Sequence, residues 1–324
     1  MAKNKMINDI KHKASKAVSN IDVGAGASKA KQAVVSTKDK ALDKVKSVDV
    51  SPEQVLRQAL KLPLAQVDRS TFLKKELIKY YPEDTVRIAI ENNPAYAGID
   101  KYTINKIANQ VIQYETNKVS SISFAAGLAG GWAAAGTVPV DVAQYFAFIL
   151  RAMQEIAYLY GFEEFNFDNE NVDSNTMNEI MIFLGAMFGV SNANAGIKII
   201  AQSAAQKMSK TIANKALTKT AIYPIVRKIA HAVGIRMTKQ IYADGVAQVV
   251  PVLGGAVSGG LTYATFKQCC LRLKHSFWNL NLCDVEFYEK IRKGEITEMP
   301  DDEVIDINED EIITEVNEEL SEEK

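Results

Sequence analysis

The chain has 324 residues, 47% hydrophobic and 24% charged, enough to fill one large or two small cores, so a folded domain is expected rather than a wholly disordered chain. The net charge of -1 hides three zones. Residues 1–50 hold eleven Lys against five Asp (+6), residues 294–324 hold fourteen acids against Lys324 (-13), and residues 51–293 carry the remaining +6.

In chain order, the first zone is a basic arm. Met6, Ile7, Ile10, Ala14, Ala17, Val18 and Ile21 recur at helical spacing among Lys5, Lys11, Lys13 and Lys16, so a basic amphipathic helix is expected. A weaker Ala and Val stripe follows the break at Gly24 and Gly26. Two readings stand: a solvated arm, or an interfacial helix drawn to anionic lipid. The arm has no Arg and no aromatic residue, which speaks against nucleic acid as a partner. The opening residues are charged and lack the apolar core of a secretory signal, so a cytoplasmic location is expected.

From Ser51 the spacing becomes helical. Ser51-Pro52 reads as a cap followed by proline at the first helical position. Asp68 opens a second helix that Pro82 stops, residues 83–91 form a third, and Ile104 to about Val119 forms a fourth. No sustained strand alternation and no βαβ rhythm occur, so the expected fold class is all-α: a multi-helix bundle with Gly/Ala-rich helical hairpins and flexible N- and C-terminal arms. The expected divisions are 1–50, 51–293 and 294–324.

Two stretches, 119–140 and 245–266, are long enough to span a bilayer but carry no ionised side chain. Gly127, Gly130, Gly131 and Gly136 with Pro139 break up the first; Pro251, Gly254, Gly255, Gly259 and Gly260 mark the second. Gly136-Thr137 before Pro139 reads as a stop and a fresh start, giving a hairpin with a first arm of roughly 22 Å, short for a core of roughly 30 Å. A buried hairpin and a shallowly inserting one both fit. Lys11, Lys13, Lys16, Phe124 and Trp132 are the membrane-contact candidates. A third uncharged stretch, Met181 to Ile197, reads as core.

Between Val138 and Tyr160 the polar positions Asp141, Gln144, Arg151, Glu155 and Tyr158 fall within about one quadrant of a helix. Arg151 and Glu155 are an i,i+4 pair. The stripe is either a structural ion-pair network or a polar seam facing a pocket or a headgroup.

Cys269, Cys270, His275 and Cys283 lack the CxxC-type spacing of a zinc chelate and read as small core residues. His12 and His231 have no triad partners, and no Walker loop, HExxH or GxSxG is present. No cofactor, metal or catalysis is expected. The tail places Ile305, Ile312, Ile313, Val316 and Leu320 among its carboxylates, as a disordered segment or an acidic amphipathic helix on a partner.

The order of several short motifs resembles the EcsC family. It comprises Val67-Asp68-Arg69 with Phe72-Leu73, Pro94-Ala95 with Gly98-Ile99, and Pro139-Val140-Asp141 leading to Arg151, Gln154-Glu155-Ile156-Ala157 and Tyr160-Gly161. The run from Val250-Pro251 to Gly259-Gly260, after the basic Arg227-Lys228 and Arg236, is similar to the family's proline-glycine C-terminal hairpin; Thr262 stands where Asn is frequent. The likeness spans about 55–285. It implies a hydrophobic, membrane-associated bacterial protein without catalytic residues, an accessory to a membrane transporter or envelope process. The resulting expectation is a non-catalytic helical protein on the inner face of the cell membrane, its partners an anionic lipid surface and a membrane protein complex. The alternative is a protein-protein adaptor with no membrane contact.

Overall fold

The computed structural model describes residues 52–129, 140–165, 167, 174–190, 193–208, 229, 231–233 and 251–296. Of the described residues 78% are helical and none lies in a strand, so the all-α expectation holds. Lys11, Lys13, Lys16, Trp132, the basic arm and the acidic tail lie outside the described residues; Phe124 and Asp141 enter only as helix backbone positions.

Helix α1 (Pro52–Leu60) starts at the expected proline and buries Val55, Leu56 and Ala59 against α5 (Val140–Leu159). A 3-10 turn at Pro63–Ala65 follows. Asp68 caps α2 (Arg69–Leu77), its Oδ1 accepting from Thr71 N at 2.7 Å. Pro82 precedes α3 (Glu83–Glu91), whose first-turn Glu83 and Asp84 suit the positive end of the helix dipole.

Helix α4 (Lys101–Ala129) is longer than the spacing suggested: it runs unbroken past Val119 and through Gly127, at about 43 Å. Helix α8 (Pro251–Phe277) likewise continues through Gly254, Gly255, Gly259 and Gly260. The proline-glycine run is thus one continuous helix from Pro251, and the preceding 234–250 lie outside the described residues. Each helical glycine costs about 1 kcal/mol relative to Ala, and among the described elements the packing of α8 along α4 is the most extensive. The return after Pro139 does occur, as α5 begins at Val140.

Named contacts fix the directions. Lys274 Nζ lies 2.7 Å from Asn109 Oδ1, and Gln113 Nε2 lies 3.3 Å from the Tyr263 hydroxyl, so α8 runs antiparallel to α4. The Arg151 to Glu115 and Tyr160 to Asn105 pairs make α5 antiparallel to α4 as well. Tyr145 meets Phe266 and Tyr160 meets Phe277, so α5 and α8 are parallel neighbours. Helices α6 (Ser174–Met187) and α7 (Ala193–Met208) close one side as a pair, most of the described residues of 181–197 being core as expected. Their close approach relies on Gly196, where an added Cβ would come within 2.9 Å of Ile182. Phe162, Phe165, Phe183 and Phe277 fill the space between this pair and the α5–α8 ends. A 3-10 turn (Asn281–Cys283) leads into α9 (Val285–Lys293), capped by Asp284 and ended by Gly294 at φ 73°.

Arg69, 7% exposed, ties the short helices to the bundle. Its Nη1 and Nη2 donate to the carbonyls of Ile90 (2.7 Å) and Asn92 (2.8 Å) at the C-terminal end of α3, and its Nε to Phe162 O (3.1 Å) after α5. Burial lowers its pKa from the ordinary guanidinium range, and three carbonyls replace the water it has lost. Substituting Arg69→Met would orphan all three acceptors, and a loss of about 3 kcal/mol or more is expected in urea unfolding. Arg69→Lys should recover little, since a single ammonium cannot span the fork.

Candidate functional site

The sequence-predicted stripe on α5 divides along its length. Asp141 and Arg151 stand about 15 Å apart along the axis, and Gln144 is half-buried between them. Arg151 and Glu155 pair as expected, Nη2 to Oε1 at 2.8 Å. Tyr158 leaves the stripe: it is fully buried and its hydroxyl accepts from Phe165 N at 3.3 Å, on the side of Arg69. Gln154, beside Glu155 in the quoted motif, holds the Pro63–Ala65 turn by accepting from Val67 N at 3.1 Å and donating to Ala65 O.

Glu115, on α4, was not singled out from the sequence. It is 1% exposed and faces α5, where Arg151 Nε lies 3.3 Å from its Oε1; Lys118 Nζ lies 3.6 Å from the same oxygen. Two buried carboxylates on facing helices thus share one guanidinium. The outer oxygens are paired, whereas Oε2 of Glu115 and Oε2 of Glu155 are buried without a hydrogen-bond partner. Burial first and the Glu115 charge second push the Glu155 carboxyl up to about 8, against the pull of Arg151. At neutral pH Glu155 is therefore largely protonated. Cys270, fully buried on α8, has its thiol pushed well up by burial and by the neighbouring Cys269, Glu115 and Glu155. That inert thiol agrees with the reading of the cysteines as core residues. Cys283 also is buried, its Sγ 3.2 Å from Tyr160 O.

This charged layer marks a boundary. Toward Ala129 on α4, no charge follows Lys118; toward Val140 on α5, Asp141 is the one charge beyond Arg151; toward Pro251 on α8, none precedes Lys267. Because α4 runs antiparallel to both others, the three uncharged portions lie at the same end of the unit. The first charge met on each helix from that end, Asp141 aside, is a cation: Lys118, Arg151 or Lys267. Lys118 also sits 5.2 Å from the centroid of the Phe148 ring, and Lys267 5.8 Å from that of Tyr263. No helix among the described residues is long and apolar enough to cross a membrane.

A second polar junction forms around Asn93. Asn93, before Pro94, donates to the Tyr288 hydroxyl (2.7 Å) and Leu282 O (3.1 Å), and its Oδ1 accepts from Tyr96 N. Gly161 passes directly over it: at φ +94°, an added Cβ would stand 2.9 Å from Asn93 Nδ2. Gly161→Ala is expected to cost about 2 kcal/mol in thermal unfolding, from left-handed backbone strain and this contact together. A small cavity of about 30 Å³ lies among Phe162, Phe183, Glu179 and Ile200, room for a water rather than a substrate.

Compared with family models, curated proteins and solved structures, the chain matches none.

Proposed function

We propose that this chain is a non-catalytic helical protein of the EcsC type that docks peripherally on the anionic cytoplasmic face of a membrane, leading with the uncharged end of the α4–α5–α8 unit. The observation that carries this reading is the shared boundary: three helices turn their uncharged portions to one end and close it with Lys118, Arg151 and Lys267. From Val119 to Ala129 is about 16 Å, and from Pro251 to Phe266 about 24 Å, both short of a hydrocarbon core of roughly 30 Å. Such an end suits shallow insertion, with Lys118, its side chain 37% exposed, at the level of the phosphates. The basic arm, with Lys11, Lys13 and Lys16, adds attraction at about 1 kcal/mol per cation near the surface. The role that follows is accessory, assisting a transporter or an envelope process from the inner face.

The buried Glu115, Arg151 and Glu155 serve as the polar floor of this end. The Arg151 guanidinium is held between the two carboxyl groups, which favours structure over proton transfer to a substrate.

Flotation of the full chain with vesicles tests the proposal. The protein should rise with vesicles containing about one-third phosphatidylglycerol at low salt, not with phosphatidylcholine alone, and should be released by about 0.5 M salt. An adaptor without membrane contact would stay at the bottom in every condition.

A further inference from the structure

The large hydrophobic side chains that stand exposed among the described residues, Ile78, Tyr80, Tyr102, Tyr114 and Ile122, all lie on α4 or just after α2. On α4 they belong to one winding stripe at four-residue steps: Tyr102, Lys106, Gln110, Tyr114, Lys118 and Ile122. The neighbouring segment joins it, with Tyr80 donating to Gln110 Oε1 at 2.7 Å and Lys75 lying 5.9 Å from the Tyr114 ring centroid. Lys106 stands 5.7 Å from the Tyr80 ring and Lys101 6.0 Å from that of Tyr102. Cations and phenol rings therefore alternate along the surface, and neither Lys101 nor Lys106 has a carboxylate partner among the described residues.

Charge and chain path indicate an occupant. The anionic run 294–324 carries -13 and interleaves Ile305, Ile312, Ile313, Val316 and Leu320, a match for lysines set among exposed Tyr and Ile. The described chain leaves at Ile296, just after Arg292, whose Nη2 donates to Tyr96 O at 3.3 Å and whose guanidinium lies 5.1 Å from the Tyr96 ring centroid. The acidic segment thus departs beside the N-terminal end of α4, where the stripe begins. Fully extended, residues 297–324 reach up to about 90 Å, ample for the whole stripe.

We infer that the Tyr/Lys stripe of α4, with Lys75 and Tyr80 beside it, is the docking surface for the chain's own acidic segment 297–324. Seated there, the segment neutralises lysines up to the Lys118 boundary and opposes an anionic surface at the same place.

Zero-length carbodiimide cross-linking of the dilute full-length protein, without lipid and followed by peptide mapping, reads this directly. Carboxylates of 297–324 should link to Lys75, Lys101 and Lys106 within one chain. These links should be lost in about 0.5 M salt, where the Debye length is about 4 Å. Lys101→Glu combined with Lys106→Glu should reduce the links to Lys75 by about threefold or more, through the reversed surface potential. Lys106 is exposed and Lys101 is half-buried at the first position of α4, and a circular dichroism spectrum unchanged from the parent's is expected. Links confined to lysines of residues 1–50, links only between two copies, or no links from 297–324 would each overturn the inference. Because vesicles are absent, failure here leaves the membrane proposal standing, and failure of flotation leaves this one standing.

Discussion

Arg151→Ala is expected to lower stability by about 3–5 kcal/mol at about pH 9, the largest effect of any single side chain in the α4–α5–α8 unit. Arg151 touches both buried carboxylates, Glu115 at 3.3 Å and Glu155 at 2.8 Å, and without it the two acids face each other across the helix interface. Lys118 reaches only Glu115, at 3.6 Å, and is itself more exposed. Glu155 has a way out: it can take up a proton. The loss should therefore shrink toward about pH 5, where the neutral acid no longer needs the guanidinium. Urea unfolding at the two pH values checks this, and an equal loss at both would show that Arg151 contributes packing rather than charge.

Glu155→Gln is expected to change the pH dependence of stability rather than its maximum. In the unfolded chain the Glu155 carboxyl returns to its ordinary value of 4.5; in the fold it is pushed up to about 8 by burial and by Glu115. A raised carboxyl pKa means that the folded protein holds the proton more tightly. Its contribution is fully present below about pH 4.5 and is lost as pH rises toward 8, with a slope of up to about 1.4 kcal/mol per pH unit. The amide cannot ionise, so the variant should match the parent near pH 5 and exceed it by a few kcal/mol near pH 9. Parallel stability curves for the two proteins would refute the assignment of this proton to Glu155.

Much of the helical framework is legible in the sequence because its signals are local. Pro52, the Asp68 cap and the 83–91 segment set boundaries through backbone geometry and nearby hydrogen bonds, and the structure keeps them; the helix read as running up to Pro82 ends earlier, at Leu77. The Arg151 and Glu155 pair is legible for the same reason, one helical turn apart. Glu115 is not, since its partner lies 36 residues away and only the packing of α4 on α5 brings them together. A second limit is length: the spacing ends the helix of α4 near Val119, yet it runs on through Gly127 to Ala129. Tyr158 illustrates a third limit: a stripe drawn at 100° per residue is about a quadrant wide, and one end of it belongs to the Arg69 junction instead.

The direct measurement for the membrane reading uses the two tryptophans of the chain. Trp278 packs edge-on against Tyr102, 5.5 Å between ring centroids, far from the uncharged end, while Trp132 follows in sequence three positions after Ala129, the last described residue of α4 at that end. With Trp278→Phe, emission comes from Trp132 alone. On anionic vesicles carrying bromine at a shallow acyl position, that emission should shift to the blue and be quenched about twofold or more, with weaker quenching by bromine near the bilayer centre. Emission that stays unshifted and unquenched while the protein floats with the same vesicles would contradict docking through this end.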